Sequence, residues 1–258
     1  MAYTTIANPT EHCEASTYTG SSSAVSVTGV GFKPDMVWHK DRTEAHAFGI
    51  YDSSRGIKRW LKGSSAQSEN NNDGASLIDA SLTSFDSAGF TIAVMSSDPI
   101  GNKNGNYFRS WMWKANGGTT ASNSDGSIAS TVQVNDTAGL SIVQWTGSGA
   151  NATIGHGLSV APKMIMVKNR SAGHDWSVYH GSTIVTSDPQ TDHLHLNTAD
   201  NMVDDNTMWN DTAPTTSVFS VGSANETNKS SSNMVAYCFS QVKGFSHFGA
   251  YTGMTDSA

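Results

Sequence analysis

Apolar positions in this chain fall into short runs broken by turn residues, with no sustained 3.6-residue apolar period in any stretch long enough for a helix. Met164-Ile165-Met166-Val167 is a continuous apolar run bounded by Pro162 and Lys168, as expected of a central strand covered on both faces. In Val235-Ala236-Tyr237-Cys238-Phe239 the large residues alternate with small ones, so Val235, Tyr237 and Phe239 share one face of a strand. Cys238 then fills a core and is no nucleophile. Asp86-Ser87-Ala88-Gly89, Asp125-Gly126 and Asn102 to Asn106 supply turn chemistry for chain reversal. Short strands alternating with such turns predict an all-β chain of antiparallel sandwiches or jelly rolls.

The chain also repeats itself, which bears on architecture before any element is named. Gly29 to Asp52 lies without a gap on Gly157 to His180, with seven identities: Gly29/Gly157, Pro34/Pro162, Met36/Met164, Lys40/Lys168, Arg42/Arg170, His46/His174 and Tyr51/Tyr179. Tyr18-Thr19-Gly20 matches Trp145-Thr146-Gly147, and Trp111-Met112-Trp113 matches Tyr237-Cys238-Phe239. The order of features is the same in both repeats. It predicts two tandem domains: residues 1–115 as an N-terminal arm and first β-sandwich, 116–138 as a linker or connecting strand, and 139–246 as the second β-sandwich. Gly244-Phe245-Ser246 before Tyr251-Thr252-Gly253 echoes the second start, so residues 247–258 read as a closing strand or as the beginning of a third repeat. Ser64 to Gly74 reads as an exposed loop.

Charge narrows the function classes. Fifteen basic residues stand against 22 acidic ones, a formal charge of −7, which leaves counterion release little to work with and sets nucleic acid aside. No apolar run approaches the roughly 18 to 20 residues needed to span a bilayer. Met1 to Thr10 lacks the charged and apolar regions of a signal peptide, so no membrane role and a cytoplasmic origin are expected. Two cysteines, Cys13 and Cys238, allow no disulfide framework and are read as reduced.

Candidate chemistry is sparse. There is no Gly-x-Ser-x-Gly elbow, and no cofactor or catalytic residue is expected. His193 and His195 share a strand face, one way to seat a transition metal, although solvated strand histidines are commoner. His46 and His174 recur with their strands, which favours packing or turn hydrogen bonding. Asn70-Asn71-Asn72-Asp73, and Asp200-Asn201 with Asp204-Asp205, could offer oxygen ligands to calcium but lack the spacing of a defined loop. Trp60, Trp111, Trp113, Trp176 and Trp209 raise a carbohydrate platform; most are expected in cores, and Trp209, flanked by Asn210-Asp211-Thr212, is the candidate glycan contact.

Met1 to Ile6, Tyr18-Thr19-Gly20 followed by Gly29 to Asp35, Asp52-Ser53-Ser54-Arg55-Gly56, and Ser81 to Phe90 together resemble an uncharacterised repeat domain of marine and cyanobacterial tailed-phage structural proteins. The resemblance covers nearly the whole chain. It implies a bacteriophage virion structural protein, tail fibre-like or another appendage docked through its N-terminal region, with no catalytic residues to carry over. It further implies other virion proteins as partners, a homo-oligomer, with trimers as the expectation, and a location in the virion after assembly in the host cytoplasm. Each repeat is also similar in general look to concanavalin-like or laminin-G-like sandwiches. Alternatives are a capsid decoration or cement protein and a lectin-like module recognising a host surface glycan. The second repeat departs from the first after Tyr179, with His180-Gly181 where the first has Asp52 to Gly56, so any contact through Asp52 or Arg55 is unique to the first.

Overall fold

The computed structural model describes residues 4–71, 82–94, 101–182 and 188–251. Met1 to Tyr3, Asn72 to Gly74, Ser81 and the last residues from Thr252, which figured in the readings above, lie outside them. Nearly all regular structure is strand, and every sheet is antiparallel. The first repeat supplies β1 (Cys13–Thr19), β2 (Val25–Val27), β3 (Met36–Asp41), β4 (Gly49–Asp52), β5 (Arg59–Lys62), β6 (Asn70–Asn71), β7 (Leu82–Asp86), β8 (Gly89–Ile92) and β9 (Tyr107–Trp113). The second supplies β10 (Ala121–Asn123), β11 (Ser130–Asn135), β12 (Leu140–Thr146), β13 (Ala152–Gly155), β14 (Met164–Asn169), β15 (Ser177–His180), β16 (Asp192–His195), β17 (Val203–Asp204), β18 (Val218–Val221) and β19 (Asn233–Phe239), with single-turn helices α1 (Asn206–Trp209) and α2 (Asn225–Asn228).

The repeat in the sequence is a repeat in topology. One large sheet runs β1-β9-β3-β4-β5-β6, and the other runs β12-β19-β14-β15-β16-β17 with β10 and β11 added at the β12 edge. Residues 116–138, expected as a linker or connecting strand, thus contribute two strands to the second sheet. Smaller sheets, β2-β8-β7 and β13-β18, accompany the large ones. Register aligns the repeats residue by residue: Trp111 pairs with Ala15 and Trp38 where Tyr237 pairs with Ile142 and Met166.

Alternation along each strand sends side chains into separate cores. Val37, Tyr51, Trp60 and Met112 of the first large sheet cluster with Val27, Leu82, Phe90 and Ile92 of its small sheet. In the second repeat Val143, Ile165, Ala236 and Cys238 cluster with Phe219 and Val221, joined by Met208 and Trp209 of α1. A third cluster belongs to both large sheets: Met36, Ile50 and Leu61 meet Ile142, Met166, Trp176, Val178, Val235 and Tyr237. Strand β14 is central, sending Ile165 and Val167 to one cluster and Met166 to another.

The repeated residues have local causes. Asp41 Oδ1 accepts from the amides of Thr43 and Glu44, and its counterpart Asn169 Oδ1 accepts from Ser171 and Ala172, the same side-chain-capped turn twice. Lys40 Nζ donates to the His46 carbonyl, as Lys168 Nζ does to that of His174, closing the loop that follows each strand. The recurring Thr-Gly is explained by crowding. A Cβ on Gly20 would stand 2.0 Å from the Lys103 carbonyl oxygen, and one on Gly147 2.2 Å from that of Lys229. Gly147→Ala is therefore expected to lower stability by about 1–3 kcal/mol through forced backbone shifts. Chemical denaturation of the variant beside the parent protein checks this; an unchanged midpoint would refute it.

The two large sheets are also joined by a buried polar cluster. Arg55 donates to Asp52, to Glu69 Oε1 at 2.8 Å and to the Tyr237 hydroxyl at 3.1 Å, and Tyr237 donates to Asp52 Oδ2 at 2.6 Å. Glu69 Oε2 accepts in turn from Arg170 at 2.8 Å, and Arg170 Nη1 reaches Gln144 Oε1 at 2.6 Å. The stretch expected as an exposed loop is thus, over Ser64 to Glu69, laid against the second repeat. Arg55 and Arg59 of the first repeat and Arg170 of the second share the Glu69 carboxylate, whose side chain is only 7% exposed. Beyond β19, Phe245 and Phe248 pack back near His12, Phe239 and His180.

Candidate binding surface

Strand β9 carries a strict alternation: Phe108, Ser110 and Met112 are buried, while Tyr107, Arg109, Trp111 and Trp113 point to the other side. On that side Trp111 is 39% and Tyr107 60% exposed. Trp111 and Trp113 join Trp38, Phe48 and Lys40 in lining an apolar cleft of about 430 Å³. Trp38 stands between Phe48 and Trp113, at centroid distances of 5.1 and 6.4 Å. Three strands set the surface in rows: Ala15, Trp111 and Trp38 form one, and Thr17, Arg109 and Lys40 the next.

The same positions in the second repeat are closed. Met166, Lys168, Trp176, Tyr237 and Phe239 replace Trp38, Lys40, Phe48, Trp111 and Trp113, and both Trp176 and Tyr237 are fully buried. The first repeat covers them: Trp176 Nε1 donates to the Lys62 carbonyl, Lys168 Nζ donates to that of Ala66, and Tyr237 bonds Asp52. Burial holds the Lys168 ammonium down to a pKa of about 8, against attraction from Asp175 and Glu226. One repeat therefore roofs the aromatic face of the other, whereas the second repeat covers only part of the first's face, packing against Trp38, Phe48 and Trp113 and leaving Trp111 39% exposed.

Trp209, the expected glycan contact, is 2% exposed and sits in the second repeat's core, edge-on to Tyr179 at 6.1 Å. Asp205 caps the turn of α1 by accepting from the Thr207 amide, and that turn carries Met208 and Trp209 inward. It offers no face to a sugar. Trp60 and Trp176 are buried too, while Trp111, expected in a core, is exposed. Trp38 and Phe48 were not singled out by sequence, although the alternation Tyr107-x-Arg109-x-Trp111 is the signal that marks their face.

His193 and His195 lie with ring centroids 4.9 Å apart. His193 is 5% exposed, its Nδ1 has no hydrogen-bond partner among the described residues, and burial and the neighbouring His195 lower its pKa. His195 faces Asp200 at 3.8 Å. Among the described residues no group of three or more His, Cys, Asp or Glu is placed to hold a metal ion. Asp205 is engaged as a helix cap, and Asn72 and Asp73 lie outside the described residues. His46 bridges Asp41 and Glu44, while His174 approaches Glu226 at 3.5 Å.

One arrangement resembles a catalytic relay. His39 Nδ1 lies 2.8 Å from Ser110 Oγ, and its Nε2 lies 3.0 Å from the Tyr18 hydroxyl, which donates to the Gly101 carbonyl. Both His39 and Ser110 are wholly buried, so no substrate reaches the serine. The same three register positions hold Val167, Ala236 and Trp145 in the second repeat, which marks the trio as a satisfied polar patch in a core. Burial drops the His39 pKa from 6.5 to about 3. The unfolded chain then takes up this proton before the folded one, so stability present above pH 6.5 is lost as pH falls towards 3. His39→Gln should flatten this slope in urea titrations repeated across that window; an identical slope in the variant would show that His39 does not carry it.

Fold and surface together define an all-β protein of repeated antiparallel sheets with an open aromatic cleft. Residues 8–258 match the family described as a domain of unknown function (DUF7483), and the chain belongs to that family. The match spans both repeats as a single unit. A comparison with curated proteins finds no match.

Proposed function

We propose that this protein is a non-catalytic structural and recognition component of a bacteriophage particle, tail fibre-like, whose two tandem β-sandwich repeats form a stiff body. The observation that carries the recognition role is the contrast between repeats: equivalent aromatic faces, one roofed by the chain itself and one open around Trp111. Exposed aromatic and arginine side chains on a pre-formed sheet are what binding surfaces are made of. The tandem-sandwich reading is supported by the separate core that each large sheet shares with its own small sheet. The virion setting, with other virion proteins as partners and a trimeric assembly, draws its support from the resemblance of the repeated segments. The burial of the Tyr18-His39-Ser110 relay favours binding over catalysis.

Two experiments test this. Electron microscopy of particles lacking the protein should show missing or shortened appendages, and intact appendages would sink the structural assignment. Loss of capsid stability with host adsorption intact would instead move the protein to a capsid decoration role. For recognition, the full chain applied to a glycan array should bind, and Trp111→Ala should abolish the signal. A blank array from the folded parent chain would count against a glycan as the ligand.

A further inference from the structure

Positive charge borders the open cleft. The chain carries a net charge of −7, yet the row beside Trp111 and Trp38 holds Arg109 and Lys40, directly opposite each other in the β3–β9 register. Among the described residues neither forms an ion pair. Lys40 is tethered to the His46 carbonyl, but no hydrogen bond to a described residue holds the Arg109 guanidinium. The fold does not require a cation there. The position equivalent to Arg109 in the second repeat holds Val235, fully buried in the core shared by the two large sheets.

An unpaired arginine next to exposed tryptophan suits a ligand with an apolar flat face and an acid group. Two residues along a strand span about 7 Å. That separation suits a sugar ring stacked on the Trp111 indole whose carboxylate reaches Arg109 through a forked hydrogen bond. Ala15, the small neighbour of Trp111 on β1, leaves room for the ring. Resting on the recognition role proposed above, we infer that this face takes an acidic saccharide, a sugar ring bearing a carboxylate, with Trp111 and Trp38 as the stacking platform and Arg109 and Lys40 as the acid contacts.

Calorimetric titration of the full chain with oligogalacturonate, with maltohexaose as a neutral control and with polyphosphate as a charge control without sugar rings, tests this. Oligogalacturonate should bind, and maltohexaose should bind at least about tenfold more weakly. Trp111→Ala and Arg109→Gln should each weaken oligogalacturonate by about tenfold or more, with circular dichroism and melting temperature unchanged because both side chains stand outside the cores. Equal affinity for maltohexaose would overturn the acid preference and leave glycan recognition standing. Binding that survives Trp111→Ala, or polyphosphate binding as tight as that of oligogalacturonate, would reduce the interaction to charge alone and overturn the inference. No binding of oligogalacturonate would overturn the inference, and the recognition role would then rest on the glycan array alone.

Discussion

Arg55→Ala is expected to destabilise the chain by about 3–5 kcal/mol, because it leaves the buried Asp52 carboxylate without its cation and removes one of the arginines that hold Glu69. The side chains of Arg55 and Asp52 are wholly buried, and that of Glu69 nearly so. Burial alone would push the Glu69 carboxyl above its ordinary 4.5, but Arg55 and Arg170 outweigh it and hold the group below that value. With a depressed folded pKa, this carboxylate contributes stability that is present above pH 4.5 and is lost as pH falls through the folded value. Urea unfolding at neutral pH should therefore show the full loss, and the gap between parent and variant should narrow in acid. A combined Asp52→Asn, Arg55→Met chain should recover much of the stability, since Glu69 keeps Arg170 and replacing a buried pair costs less than orphaning one of its members. An Arg55→Ala variant as stable as the parent would mean that the interface between the sheets does not depend on this cluster.

Trp209→Ala should cost about 3–5 kcal/mol by opening a cavity in the second repeat's core. Trp209→Phe should cost far less. The indole nitrogen of Trp209 is buried and finds no hydrogen-bond partner among the described residues, so phenylalanine removes an unsatisfied donor while keeping most of the apolar volume. Thermal melts of the two variants distinguish this core role from a surface role, in which neither would move the melting temperature. Retention of the parent melting temperature by Trp209→Ala would contradict the inward placement of the α1 turn.

The all-β character and the strands at Met164 to Val167 and Val235 to Phe239 were legible in the chain. Period-two alternation in Val235 to Phe239 assigned Tyr237 and Phe239 to one face and Ala236 and Cys238 to the other, and the structure places them so. The ungapped match of Gly29 to Asp52 with Gly157 to His180 foreshadowed two sheets of one topology, since Lys40 and Lys168 close the same loop and the aligned Asp41 and Asn169 cap the same turn. Trp209 misled because Asn210-Asp211-Thr212 after it signals an exposed turn, whereas the cap supplied by Asp205 rotates the tryptophan into the core.

What alternation could not reveal is which outward face would find a cover. Trp111 and Tyr237 occupy equivalent register positions with the same sequence pattern, yet one is 39% exposed and the other wholly buried. The difference lies in Asp52 to Glu69, a stretch that folds across the second sheet and anchors there through Arg55, Glu69 and Arg170. The two sides of a strand follow from backbone geometry within a few residues, so sequence determined which residues share a face. Covering a face depends on contacts between residues more than a hundred positions apart, such as Glu69 with Arg170, and only the tertiary structure decided that the first repeat's aromatic face stays open.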